Sequence, residues 1–133
     1  MDRIKYFLKS NKKIKENIFF PVSEELKDEQ GNVLEWELKA LSTDEVEKIR
    51  EEATNKNGVY DHQKFVKKII CASVVDPNLN LIELQDSYNV KSAEDLITKI
   101  LDCPADYYKL VEKVFKLNKL DENFADKVAE VKN

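Results

Sequence analysis

A chain of 133 residues with 36% charged side chains and a net charge of −4 suits one compact, heavily solvated domain. Its acidic, interspersed charge excludes a general nucleic-acid binder, which needs clustered cations to displace counterions, and it has no apolar run long enough to span a bilayer. Two glycines and three prolines are too few for the many tight turns of a β-sandwich or barrel, so long helical segments are expected.

Residues 2–10 place Ile4, Phe7 and Leu8 at i, i+3 and i+4, which predicts a short amphipathic helix. Residues 9–15 form a basic connector. No aromatic residues are interleaved with its lysines, so it reads as a solvated linker and not as a nucleic-acid arm. This leading stretch lacks the uninterrupted apolar core and small-residue cleavage site of a secretory signal. Cys71 and Cys103 are therefore expected as reduced thiols in a cytoplasmic chain.

Ile18-Phe19-Phe20-Pro21-Val22 reads as a strand, and Pro21, which has no amide for a ladder, places it on an edge. Residues 33–40 alternate, with Leu34, Trp36, Leu38 and Ala40 on one face and Glu35, Glu37 and Lys39 on the other. That pattern fits a sheet wet on one side. Gly31-Asn32 tolerates positive φ, so a hairpin tip belongs there.

The period then changes to helical. Ser42 with Glu45 forms a capping box ahead of Val46, Ile49 and Ala53, and Asn55-Lys56-Asn57-Gly58 breaks that helix. Residues 61–75 carry Phe65, Val66, Ile69, Ile70 and Ala72 and predict the central buried helix, stopped at Asp76-Pro77. Asn80 with Glu83 is placed to cap a short helix bearing Leu81, Leu84 and Tyr88. Ser92 with Asp95 opens the next, with Leu96, Ile97, Ile100 and Leu101. Pro104 starts another, with Tyr107, Leu110, Val111, Val114 and Phe115 as its buried stripe. Asp121 can cap a last helix with Phe124, Val128 and Val131. The expected fold is mainly α within the α+β class: one domain over residues 1–133, an N-terminal β-hairpin packed against about five to six helices.

Catalytic chemistry is missing. His62 is the single histidine, it lacks a marked nucleophile, and it reads as an exposed loop residue. One histidine and two distant cysteines cannot build a zinc site, and no phosphate-binding, dinucleotide or calcium-loop pattern is present. Acidic pairs such as Glu24-Glu25 and Glu51-Glu52 follow from composition and read as solvated faces. No catalytic residue, cofactor or metal is expected. Aromatic residues invite a recognition reading instead. Trp36 belongs in the core by its strand alternation. Tyr88, Tyr107 and Tyr108 remain candidates for partner contact; Tyr107 and Tyr108 are adjacent on a helix and point about a quarter-turn apart, which leaves room for one of them to be exposed. The end segments add Phe7, Leu8, Phe124 and Val128 as adaptable apolar contacts.

The hairpin KDEQGNVLEWELKAL (27–41), the segment STDEVEKIR (42–50), the run ICASVVDPNLNLIELQDSYNVKSAEDLITKIL (70–101) and the closing KLVEKVFKLNKLDE (109–122) occur in an order that is specific when taken together. On these motifs, with Phe7-Leu8 in a leading helix, the chain resembles the XkdN-like tail assembly chaperones of phages, defective prophages and phage-tail-like bacteriocins of Gram-positive bacteria. Two positions depart from the family pattern. Asn89 stands where a glycine is common, although asparagine tolerates a left-handed conformation, and CPADYY lacks the usual glycine near position 107. The resemblance implies a non-enzymatic helper in the host cytoplasm. Its implied partner is the tape-measure protein, which it would keep soluble, with the tail tube protein as a second partner and no nucleic acid or membrane. Self-association stays open. The competing expectation is a structural tail or baseplate component retained in the particle. Such proteins tend to be β-rich, and one hairpin among helices disfavours that reading.

Overall fold

The computed structural model describes residues 2–120 and has the expected mainly helical α+β architecture. β1 (Ile18–Pro21) pairs antiparallel with β2 (Glu35–Leu38), Ile18 opposite Leu38 and Pro21 opposite Glu35. β1 lies on the sheet edge, where Pro21 costs no ladder hydrogen bond. The connecting ribbon narrows at Lys27 and Val33 and turns at Gly31, whose φ of 82° suits a residue without Cβ. Asp28 Oδ1 holds this turn by accepting the N–H groups of Gln30 and Asn32, both at 2.9 Å. Trp36 and Leu38 point inward and are buried, as the alternation predicts. Leu34 does not follow them. It lies beyond the ladder, donates its N–H to Leu26 O, and stays exposed.

The Ser42 box opens α1 (Thr43–Glu52) as predicted: Ser42 Oγ accepts the Glu45 N–H at 3.1 Å, and Glu45 Oε1 accepts the Ser42 N–H at 3.0 Å. Ser42→Ala is expected to cost about 1 kcal/mol of stability, read by chemical denaturation. The Ser42 N–H holds the Glu45 carboxyl below its ordinary value. A carboxylate so depressed stabilises the fold above its unfolded pKa, and this contribution fades as pH falls through the lower folded value.

α2 (His62–Ser73) is the central helix. It buries Phe65, Ile69 and Ile70 and packs on its neighbours from several sides. Asp61 caps it, its Oδ1 accepting the Lys64 N–H at 3.1 Å. That cap draws His62 into the first turn, so the histidine is not an exposed loop residue: it is buried, 3.0 Å from the Tyr60 hydroxyl through Nδ1 and stacked near Phe65. The helix also ends earlier than predicted. The β-branched pair Val74-Val75 leaves it for a third strand, β3 (Val74–Asp76), which pairs antiparallel with β2. The sheet order is therefore β1-β2-β3, with Leu38 opposite Val74 and the Lys39 N–H on Ser73 O at 2.8 Å.

α3 (Ile82–Ser87) begins one residue after the position that an Asn80 cap requires, and no side chain caps it. Asn78 Oδ1 takes the Asn80 N–H at 3.0 Å instead, and the buried Gln85 donates Nε2–H to Leu79 O at 2.8 Å. Leu79 thus fills the core position assigned to Leu81, which faces out, while Leu84 and Tyr88 are half-buried against the core. Asn89 adopts the left-handed conformation expected of a glycine substitute, at φ 57°.

α4 (Ala93–Ile100) has its Ser92 cap on the Asp95 N–H and buries Leu96 and Ile97. Lys68 reaches from α2 to Glu94 at 3.1 Å. α5 (Pro104–Leu117) starts on Pro104 and buries Leu110, Val114 and Phe115. Past its end, Asn118 Oδ1 accepts the Leu41 N–H while Nδ2 donates to Ser73 Oγ at 3.1 Å. One amide thereby links α5, α2 and the segment leading into α1. The predicted helix over 121–133, with Phe124, Val128 and Val131, lies outside the described residues.

Candidate partner-binding surface

The N-terminal arm is the most unusual surface of the molecule. Residues 3–17 are exposed without a break. The predicted α-helix over 2–10 is a 3₁₀ helix, Asp2–Phe7, followed by a second short turn, Lys9–Asn11. An isolated helix this short is not stable in the α form, and none of the described residues covers its stripe to compensate. Ile4, Tyr6, Phe7 and Leu8 are between 52% and 68% exposed. Arg3 sits 4.9 Å over the Phe7 ring and Lys5 5.3 Å from that of Tyr6, so cations border the aromatic faces. Residues 3–17 hold six cations and one carboxylate, a net of +5, which leaves −9 for the rest of a chain totalling −4. At the arm's base an open groove of 670 Å³ runs between residues 12–16, Ala40 and residues 117–119.

The other sequence candidates divide. Tyr108 is 66% exposed and stands edge-on to Tyr107, with ring centroids 5.6 Å apart. Tyr107 is half-buried against the core, and burial pushes its hydroxyl up to about 12. Tyr88 is likewise half-buried. Phe7, Leu8 and Tyr108 are therefore the accessible members. Phe124 and Val128 lie outside the described residues. The structure adds Tyr6 and Ile14 on the arm, Phe19 on β1, and Ile82 as exposed apolar groups that sequence reasoning passed over, and it exposes Leu81, which had been assigned to a buried stripe. Ile82 falls outside the Leu81, Leu84 and Tyr88 spacing, which is the one local hint that it faces out.

Cys71 is mostly buried, and desolvation pushes its thiol up to about 12, far from a reactive thiolate. Among the described residues no cluster of histidine, cysteine and carboxylates is arranged to hold a metal, and no helix is long and apolar enough to cross a membrane.

Comparison with known proteins agrees with this fold. The Bacillus subtilis (strain 168) protein YqbN is 25% identical over 126 residues, covering 89% of this chain and 85% of that one. The phage-like element PBSX protein XkdN of the same strain is 24% identical with the same coverage. The crystal structure of YqbN superposes with a TM-score of 0.83 at 23% identity, over 91% of this chain and 99% of that one, and so shares the fold. The model of the phage XkdN-like tail assembly chaperone proteins matches residues 4–132. The chain thus belongs to the phage XkdN-like tail assembly chaperone family.

Proposed function

We propose that this chain binds the tape-measure protein of its tail, keeps it soluble in the host cytoplasm, and assists assembly of the tail tube, without catalysing a reaction. The observation that carries this reading is the arm: fifteen consecutive exposed residues with five large apolar side chains that nothing in the described chain covers. Exposed apolar patches of this kind mark interaction sites. Long tape-measure helices present apolar stripes, and a stripe is covered well by short, adaptable apolar elements. Tyr108, on the outer face of α5, offers a second amphipathic contact.

Co-expression with the neighbouring tape-measure protein tests the reading. The expected result is a clear rise in soluble tape-measure protein and a complex that co-purifies. An unchanged soluble yield with no complex contradicts it. Mass spectrometry of finished particles separates a chaperone from a retained tail component: a chaperone is absent from them, a structural protein abundant.

A further inference from the structure

The arm has a complement on the body of the same molecule. Between Lys68 and Lys91 the chain carries no lysine or arginine, and Asp76, Glu83 and Asp86 are its carboxylates, all exposed. Within this acidic stretch Ile82 is 71% exposed, Leu81 48% and Val75 38%. At the start of α3, Leu81 and Ile82 with Glu83 and Asp86 beside them make an apolar pair edged with carboxylates, which matches an apolar arm edged with cations. No described residue of the same chain covers either of them.

We propose that the arm of one copy lies across α3 of a second copy, and the reverse, forming a twofold dimer by exchange of arms. The twofold axis uses both arms and both α3 patches, so the assembly closes and leaves neither open for further growth. Phe7 and Leu8 cover Leu81 and Ile82, while the arm's lysines face Glu83 and Asp86. The charge pattern sets the orientation and makes the association salt-sensitive. The inference does not rest on the tape-measure reading, because the dimer is measured with no client present.

Sedimentation of the full chain tests it. The wild type is expected to dimerise and to dissociate as salt rises. Leu8→Glu on the arm and Ile82→Glu on α3 are each expected to weaken the dimer on the order of tenfold or more. Both positions are exposed in the single chain, so each variant keeps the helical circular dichroism of the wild type. Mixing the two variants is the decisive arm. One intact pair forms in the heterodimer, an unmutated arm on an unmutated α3, so mixing restores association that neither variant shows alone. A wild type monomeric at every concentration overturns the proposal. So does a dimer that survives either substitution, or a mixture that stays monomeric.

Discussion

Trp36→Ala is expected to destabilise the domain by about 3–5 kcal/mol, the usual cost of emptying a buried aromatic site. Trp36 sits on β2, the central strand, and is 2% exposed. Phe20, its partner on β1, carries the sheet toward α5, where Lys109 and Lys113 lie 5.3 and 5.1 Å from the Phe20 ring. A cavity at Trp36 therefore loosens the place where strand pairing and helix packing meet. Domains of this size hold only about 5–15 kcal/mol in total, so the variant stands near unfolding at 37 °C. Urea titration followed by helical circular dichroism reads the loss. If Trp36 were an interface anchor instead, the midpoint would barely move and binding alone would fall.

The arm gives the opposite pattern. Phe7→Glu combined with Leu8→Glu is expected to leave the intrinsic stability of the helical body within about 0.5 kcal/mol of wild type, since both residues are exposed and removed from the core. The same double substitution is expected to return the soluble yield of tape-measure protein to the level seen without the chaperone. Two carboxylates on the apolar stripe put unpaired charge where a client's apolar face must dock. Ile82→Glu separates the two roles of the arm. It removes the dimer contact but leaves Phe7 and Leu8 untouched, so client rescue is expected to persist. Tyr108→Ala is expected to weaken the rescue only in part, because Tyr108 is a single contact on α5.

Local rules made most of the fold legible. The capping pairs at Ser42 and Ser92, the left-handed Asn89, the edge Pro21 and the stripe of α5 each depend on residues within a turn or two of one another. What was illegible is tertiary. β3 exists because Val74 finds Leu38 across more than thirty intervening residues, and nothing local distinguishes three extended residues from a fraying helix end. Asn80 looked like a cap, yet the neighbouring Asn78 took its N–H, and Gln85 fastened the loop through Leu79. His62 became buried through a cap one residue earlier and a tyrosine two residues earlier, where exposure had been expected. For the surface, the stripe at Ile4, Phe7 and Leu8 was readable as amphipathic. That no part of the described body covers it was not readable, because exposure depends on where every other element goes.

Site-specific photo-crosslinking during co-expression with the tape-measure protein tests the central claim most directly. A photoreactive side chain is placed at Leu8 on the arm and, as a control, at Lys48 on the exposed outer side of α1. The account predicts a tape-measure adduct from position 8 and none from position 48. No adduct from position 8, or equal capture from both, contradicts it.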